Sequence, residues 1–204
     1  FKPLWKRSLL WLLVLGPFFF LSYGYSNQLA ARQGVAREIV YGWEAFVPFV
    51  PWTIIPYWSI DLFYGLSLLL CTTRQRLDRH ALRLLSAQII AVSCFLLYPL
   101  KISAPRTQAE EGLFGNLFTY LYSFDQPYNQ MPSLHIALLL IIWERFHEAV
   151  PRHWRWLVNG WAVLIGISVM TTGQHHFIDI PTGLLTGTIV MWLWPLDHSP
   201  PLTL

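Results

Sequence analysis

Residues 132–146 read PSLHIALLLIIWERF, an apolar run that opens with PSLH and ends at charged residues. Pro132 suits the first turn of a helix, because its missing N–H loses no hydrogen bond there. Apolar runs of about 20 residues cross the ~30 Å hydrocarbon core of a bilayer as helices, and this run is somewhat shorter. The stretch predicts a membrane-spanning helix that carries Ser133 and His135 at its beginning.

Five further apolar runs surround this one, at residues 8–25, 52–71, 81–100, 156–172 and 178–194. The composition agrees with a bilayer, because 54% of the residues are hydrophobic and only 12% are charged, against about 25% charged in soluble domains. We therefore predict an all-α fold, a polytopic membrane helical bundle with six transmembrane helices, as a single domain over residues 1–204. We expect residues 26–51 to form an interfacial segment and residues 101–131 to form an extracytoplasmic loop at the site.

The basic residues are distributed unevenly between the two sides of such a bundle. Ten lie on one side: Lys2, Lys6, Arg7, Arg74, Arg76, Arg79, Arg83, Arg145, Arg152 and Arg155. Four lie on the other side: Arg32, Arg37, Lys101 and Arg106. Short cytoplasmic loops carry an excess of Lys and Arg, so this asymmetry places both termini in the cytoplasm.

Several polar residues fall together on the cation-poor, extracytoplasmic side. Lys101 and Arg106 follow the third run, and His135 opens the fourth. The segment TGQHH, residues 172–176, closes the fifth run, and Asp179 opens the sixth. These places are far apart in the sequence, yet six alternating helices bring them to one face. The pattern therefore predicts a functional site at that face.

The residue types at this face suit phosphoryl transfer. His175 and Asp179 are four residues apart, which on a helix places them on one face. A carboxylate that accepts from one imidazole nitrogen leaves the other nitrogen free as a nucleophile. His135 lies near a helix N-terminus, where an anion is favoured, and Lys101 and Arg106 supply the charge that a phosphate needs. Phosphoryl transfer depends mostly on such positioning and charge neutralisation.

The other polar residues have structural interpretations. Four histidines are interpreted as interfacial or hydrogen-bonded residues: His80, His147, His153 and His198. His176 fits a hydrogen-bonding role better than a chemical one. Lys101 and Arg106 could equally lie at the bilayer surface with their charged ends in water. Asp61, in the middle of the second run, is left unexplained, with a polar group of another run as its simplest partner.

A metal site is the main alternative chemistry, because His135, His175, His176 and Asp179 are all ligand types. The sequence has no HExxH segment, and it has too few histidines for a di-iron hydroxylase. Cations and helix N-termini already supply positive charge, so we expect no metal and no other cofactor. Ser133 is a weaker nucleophile candidate, because a serine at a helix N-terminus serves as a cap or as a donor to phosphate.

At these residues the chain resembles the type 2 phosphatidic acid phosphatase (PAP2) superfamily, whose motifs are K-x6-R-P, P-S-G-H and S-R-x5-H-x3-D. The second motif corresponds to PSLH at residues 132–135, and the end of the third corresponds to the segment from His175 to Asp179. The resemblance implies that His175 is a nucleophile that forms a phosphohistidine and that Asp179 orients it. It further implies that His135 protonates the leaving group and then activates water or an alcohol.

The chain also departs from the superfamily motifs. The resemblance implies that Lys101 and Arg106 bind phosphate oxygens, but four residues separate them rather than six, and the proline precedes Arg106. Leu134 replaces the glycine of the second motif, and Val169 stands where the third motif has arginine. Gln174 or Thr172 is expected to donate a hydrogen bond to phosphate in place of that arginine, and such a bond is weaker than the contact of a bidentate arginine.

Within the superfamily the chain resembles the inositol phosphorylceramide synthases and the membrane domain of bacterial PAP2–dual-specificity phosphatase fusions. The proline-rich end of the sequence would suit a soluble domain beyond Leu204. The resemblance implies an integral-membrane lipid phosphatase or phosphotransferase of the bacterial inner membrane, with its active site on the periplasmic face and a membrane lipid phosphate as substrate. The missing arginine favours a phosphodiester, so a phospholipid headgroup transferase is an alternative.

Two other functions stay open at this point. A non-catalytic membrane module could bind a lipid phosphate through the same residues. A small transporter or channel is less favoured, because the polar residues cluster at one face and do not line a path through the bilayer. No nucleic-acid partner is expected.

The basic asymmetry generates a topology prediction. A reporter fused after Leu204 should report the cytoplasm, and a reporter inserted near Gly112 should report the extracytoplasmic side. The reason is the ten-to-four distribution of Lys and Arg. Alkaline phosphatase and green fluorescent protein fusions provide the readout, and the reverse pattern would overturn the predicted orientation.

Overall fold

A computed structural model of the chain describes residues 4–35, 37–103 and 112–196. Over these ranges the fold is all-helical and contains no strand, which confirms the predicted fold class. The α-helices are α1 (Leu4–Arg32), α2 (Ile54–Leu69), α3 (Arg74–Leu97), α4 (Leu113–Phe124), α5 (Leu134–Ala149), α6 (Arg155–Thr171) and α7 (Asp179–Leu193). Short 3-10 helices lie at Gly42–Phe46, Pro51–Thr53 and Arg152–Trp154.

Each of the six predicted apolar runs overlaps one of these helices, and α4 is additional. It lies within residues 101–131, where we expected a loop, and its 12 residues are amphipathic and largely aromatic. The first helix continues through Pro17 to Arg32 and so takes up part of the expected interfacial segment. The apolar periodicity therefore located the long helices but missed the short one.

Two helices, α1 and α3, are long and apolar enough to cross a membrane. The other four helices that match predicted runs have 15 to 17 residues, which gives roughly 23–26 Å at 1.5 Å per residue. That is shorter than the ~30 Å core of a typical bilayer. The prediction of six spans therefore stays a prediction.

The surface of the bundle is strongly apolar. Large hydrophobic side chains project outward from several helices, among them Phe20 (71% exposed), Leu21 (72%), Trp156 (66%) and Trp192 (79%). Water-soluble monomers rarely expose contiguous apolar patches larger than a few hundred Å². This surface suits a bilayer and is consistent with membrane association.

Helix α5 is the centre of the bundle and packs against α7, α6, α2 and α3. Its contact with α7 is especially close, because Gly183 and Gly187 face it. A Cβ atom at Gly183 would lie 2.6 Å from the Ser133 carbonyl oxygen, and one at Gly187 would lie 3.1 Å from the Ala137 carbonyl oxygen. At the same end, the Ser133 N–H donates to the Asp179 carbonyl oxygen at 3.1 Å. The two glycines therefore set how closely the beginnings of α5 and α7 approach.

The opposite end of the bundle is held by cations. The Arg83 guanidinium pairs with Glu144 and donates to the Trp194 carbonyl oxygen. Arg76 pairs with Glu148, and Arg7 pairs with Asp78 at 2.7 Å. Many of the ten cations that we assigned to one side are thus gathered at one end, and the beginnings of α5 and α7 lie at the other.

The close packing of α7 on α5 generates a stability prediction. Gly183→Ala should lower the free energy of unfolding by about 1–3 kcal/mol, because an added methyl in a packed interface forces side chains or backbone to shift. Thermal unfolding in detergent measures the effect. Gly160→Ala on α6 is the matched control, since its Cβ would meet nothing within 4 Å. Equal melting temperatures for the two variants would contradict the role of Gly183.

Candidate active site

The segment between α6 and α7 delivers His175 to the interior of the bundle. Helix α6 ends at Thr171, and Gly173 follows with a φ of +67°. This left-handed conformation favours glycine. After the turn, the Gln174 and His175 N–H groups both donate to the Val169 carbonyl oxygen, at 3.3 and 3.0 Å. His175 is therefore held in a tight turn and only 8% of its surface is exposed.

Asp179 is hydrogen-bonded to His175, as the four-residue spacing suggested. The His175 Nδ1 lies 3.1 Å from the Asp179 Oδ2 atom, and the same oxygen accepts the His176 N–H at 3.0 Å. The expected helical relationship is wrong, however, because His175 precedes α7 and the contact closes a turn. A carboxylate only accepts hydrogen bonds, so Nδ1 carries the proton and Nε2 presents its lone pair.

His135 lies in the first turn of α5. Its Nε2–H donates to the Tyr57 carbonyl oxygen at 2.9 Å, since a carbonyl can only accept. Its ring stacks on the Tyr57 ring at a centroid distance of 4.2 Å and an interplanar angle of 9°. The His135 and His175 ring centroids are 6.5 Å apart. The Nδ1 of His135 is therefore left to exchange a proton near His175.

Ser133 serves as the N-cap of α5, as predicted for a serine at a helix N-terminus. Its hydroxyl oxygen accepts from the Ile136 N–H at 3.2 Å and lies 3.4 Å from the His175 Nε2. The residue is fully buried. The hydroxyl can therefore donate to a group bound at the His175 Nε2 without leaving its capping position.

Three further residues, Lys101, Arg106 and Gln174, were predicted to bind phosphate. Lys101 is exposed, and its N–H donates to the Arg37 carbonyl oxygen at 2.8 Å. Arg106 lies outside the described residues. Gln174 is buried and its amide nitrogen donates to the Thr172 carbonyl oxygen at 3.1 Å. The structure therefore brings His135, His175, Asp179 and Ser133 together, and Lys101 does not line either cavity that reaches His175.

These two cavities meet at His175. One has a volume of about 400 Å³ and is lined by residues between 40 and 49, by Ser103 and by His176; we call it the loop cavity. The other has a volume of about 240 Å³ and lies between α1, α2, α4 and α5, with His135 in its wall; we call it the helix cavity. A group bound at the His175 Nε2 can therefore have neighbours on two sides.

His176 has the structural role that the sequence favoured. The Ser103 N–H donates to the His176 Nε2 at 3.0 Å, so Nε2 carries the lone pair and Nδ1 carries the proton. That Nδ1–H donates to the Glu44 Oε2 at 2.7 Å. The His176 ring therefore connects the segment around Glu44, the end of the α3 loop and the His175 turn.

Tyr57 and Glu44 were missed by the sequence reasoning. Tyr57 acts through its backbone carbonyl and the face of its ring, and neither feature leaves a pattern in the sequence. Glu44 could have been found as the only carboxylate among the aromatic residues between 41 and 52. Its partner His176 lies 132 residues away, so the pairing itself is visible only in the fold.

Val169, where the superfamily motif has arginine, is completely buried. It packs in an apolar cluster with Ile54, Phe118 and Ile136. Among the residues that the structure describes, neither cavity is lined by a lysine or an arginine. The substitution therefore removes a cation from the site and replaces it with apolar core.

In the described part of the chain, no three His, Cys, Asp or Glu side chains are grouped so that they could hold a metal ion. His176 and Asp179 instead point to separate protein partners. The absence of metal dependence stays a prediction.

The described part of the chain is an all-helical bundle that gathers two histidines and a buried carboxylate at one end, an arrangement that suits phosphoryl transfer. Residues 57–193 match the PAP2 superfamily, and the chain belongs to that superfamily. Members of this superfamily are phosphatases that act on phosphate esters. The chain is also 32% identical over 71 residues to an uncharacterized protein of Methanocaldococcus jannaschii, a match that covers 35% of this chain and 29% of that protein.

The bridging role of His176 generates a prediction. His176→Phe should lower the free energy of unfolding by about 1–3 kcal/mol, because it leaves the Ser103 N–H and the buried Glu44 carboxylate without their His176 partner. Thermal unfolding of the purified protein measures it. His147→Phe is the control, since the hydrogen bond of His147 to Asn159 is exposed and a phenylalanine ring can keep its contact with the Trp143 ring. A His176→Phe protein as stable as the control would contradict the bridge.

Proposed function

We propose that this protein is an integral-membrane lipid phosphatase or phosphotransferase that cleaves a lipid phosphate ester through a phosphohistidine at His175. The observation that carries the proposal is the geometry around His175. Its Nδ1 is bonded to the buried Asp179 carboxylate, and its ring lies 6.5 Å from that of His135. A nucleophile held by an orienting group, with an acid–base residue beside it, is the arrangement that covalent catalysis requires.

In the first step, the His175 Nε2 attacks phosphorus and the bond from phosphorus to the leaving oxygen breaks. The leaving oxygen keeps the electron pair and takes the Nδ1 proton of a doubly protonated His135, whose Nε2–H remains on the Tyr57 carbonyl. Asp179 stabilises the positive charge that develops on the His175 ring. The Ser133 hydroxyl, 3.4 Å from the attacking nitrogen, donates to a phosphoryl oxygen.

In the second step, water or an alcohol attacks phosphorus and gives its proton to His135. The bond between phosphorus and nitrogen breaks, and the electron pair returns to the His175 Nε2. Both histidines are then in their starting states. Lys101 and Arg106 are proposed to neutralise phosphate oxygens when the lipid is bound, and Gln174 is proposed to donate a hydrogen bond to one of them.

The scarcity of cations favours a phosphodiester over a phosphomonoester. A monoester carries nearly two negative charges and a diester carries one, and Val169 supplies none of the charge that an arginine would. A headgroup transferase is therefore the second candidate function. The two cavities support it, because the lipid portion and an acceptor can lie on different sides of His175.

The proposed setting is a bacterial inner membrane, crossed several times, with the active site on the periplasmic face. The exposed apolar surface of the bundle and the two long apolar helices support membrane integration. The separation of the cation-rich end from the histidine end supports the orientation, because cytoplasmic ends are rich in Lys and Arg.

The central prediction concerns His175. His175→Ala should abolish turnover of every substrate, because no other group in the proposed mechanism can form the phosphoryl intermediate. A lipid phosphate panel with mass spectrometry of both products measures turnover, and acid-labile phosphate on the intact wild-type protein reports the intermediate. Glu38→Gln, an exposed residue outside both cavities, is the control. Substantial activity in clean His175→Ala protein would overturn the nucleophile assignment, and absence of turnover in the wild type would favour a lipid-binding module.

Substitutions of His135 and Asp179 should affect activity in different ways. His135→Ala should reduce activity strongly on a lipid substrate and far less on a nitrophenyl phosphate ester, since nitrophenolate leaves without a proton. Asp179→Asn should keep the fold and lose activity by about 10²-fold or more on both substrates, because the His175 tautomer is no longer fixed. Equal losses of the His135→Ala protein on the two substrates would contradict its role as the acid.

A further inference from the structure

The loop cavity reaches His175, and the hydrogen-bond donors in its wall are few. Among the residues that the structure describes, no lysine or arginine lines it. A phosphoryl group on the His175 Nε2 spreads negative charge over its equatorial oxygens, and the Ser133 hydroxyl lies near that nitrogen. Two side chains in the wall of the loop cavity carry a hydroxyl group, Ser103 and Tyr41. A hydroxyl in this wall is therefore placed to assist the stabilisation of a bound phosphoryl group.

Ser103 is held against the residue that follows His175. Its N–H donates to the His176 Nε2 at 3.0 Å, and the His176 Nδ1–H donates to the Glu44 Oε2 at 2.7 Å. The His176 N–H in turn donates to the Asp179 Oδ2, the same oxygen that accepts from the His175 Nδ1. Hydrogen bonds within the protein therefore couple the position of Ser103 to the orientation of His175.

This arrangement leaves the Ser103 hydroxyl available to a ligand. The hydroxyl oxygen also lies 3.0 Å from the His176 Nε2. A neutral imidazole accepts through one nitrogen only, and the Ser103 N–H already donates to that nitrogen. A serine hydroxyl rotates to suit its partner. Because Ser103 is exposed and lines the loop cavity, its hydroxyl can turn its proton toward a group bound there.

Glu44 supplies the one carboxylate that lines the loop cavity within the described ranges, and protein donors compensate it. Its Oε1 accepts the Tyr41 N–H at 3.0 Å, and its Oε2 accepts the His176 Nδ1–H. The Glu44 side chain is 7% exposed, and a buried carboxylate is tolerated when donors compensate it. Glu44 therefore holds the His176 ring, and through that ring it holds Ser103.

Tyr41 has no comparable connection to His175. Its ring packs with Trp43 and Phe177 at centroid distances of 6.5 and 6.0 Å, and 41% of its surface is exposed. In the part of the chain that the structure describes, no hydrogen bond fixes the Tyr41 hydroxyl. Of the two hydroxyl groups in the wall, only that of Ser103 belongs to a residue that is hydrogen-bonded to the segment carrying His175.

We propose that the Ser103 hydroxyl donates a hydrogen bond to a phosphoryl oxygen of the bound substrate, and that the Glu44–His176 pair holds Ser103 in position for it. This inference rests on the proposed function, because it places the phosphorus at the His175 Nε2. The Ser103 hydroxyl acts from the loop cavity, whereas the Ser133 hydroxyl acts from the beginning of α5. A donor that is already in place when charge develops on the phosphoryl oxygens stabilises the transition state most.

The Ser103→Ala variant isolates the hydroxyl, because the backbone N–H that binds His176 remains. Its kcat/KM on the lipid phosphate that the wild type turns over fastest should fall by about 10- to 100-fold, the loss expected when one donor to a charged oxygen is removed. Its unfolding temperature in detergent should be that of the wild type. Ser103→Thr keeps a hydroxyl and should retain most of the activity.

Ser123→Ala is the matched control. It removes an exposed serine hydroxyl that donates to the Tyr120 carbonyl oxygen within α4 and that lines neither cavity at His175. Its kcat/KM should equal that of the wild type. A Ser103→Ala protein with the kcat/KM of this control would overturn the inference, and so would a Ser103→Thr protein as impaired as Ser103→Ala.

A binding measurement separates this inference from the proposed function. Orthovanadate adopts the five-coordinate geometry of a phosphoryl group in transfer. By calorimetry, the wild-type protein should bind orthovanadate at least about tenfold more tightly than Ser103→Ala, and His175→Ala should not bind it measurably. Equal binding by the wild type and Ser103→Ala, with binding lost in His175→Ala, would overturn the inference and leave the proposed function standing. Binding that depends on Ser103 but not on His175 would support the inferred donor and count against the proposed nucleophile. Absence of binding to the wild type would count against both.

Discussion

The contact between α5 and α7 is the constraint on which the site depends. Gly183 leaves room for the Ser133 carbonyl, whose oxygen would lie 2.6 Å from an added Cβ. At this approach distance the Ser133 N–H reaches the Asp179 carbonyl oxygen. Ser133 and His135 form one side of the site, and His175 and Asp179 form the other. The two sides are joined by that backbone hydrogen bond and by the contact of the Ser133 hydroxyl with the His175 Nε2. A wider spacing between the helices would lengthen both contacts and move the two histidines apart.

Burial determines what the Asp179 carboxylate can do. It is fully buried, and a buried carboxylate is tolerated only when donors compensate it. Its Oδ2 receives the His176 N–H and the His175 Nδ1–H, so the same two bonds that make its burial tolerable also fix the His175 ring. His176 in turn is tied to Glu44 and Ser103. The orientation of the proposed nucleophile is therefore set by three segments of the chain rather than by one helix.

The sequence predicted the features that depend on local pattern. The apolar runs located six of the helices, the PSLH opening located the start of α5, and the spacing of His175 and Asp179 indicated their pairing. It missed α4, because an aromatic helix of 12 residues resembles a membrane-facing loop in composition. The sequence analysis placed His175 on a helix, whereas it lies in the turn between α6 and α7. The left-handed conformation of Gly173 makes that turn, and the spacing of apolar residues does not reveal the conformation of one residue. The bridge from His176 to Glu44 and the stacking of His135 on Tyr57 depend on contacts between distant segments. The local pattern of a single sequence does not show such contacts.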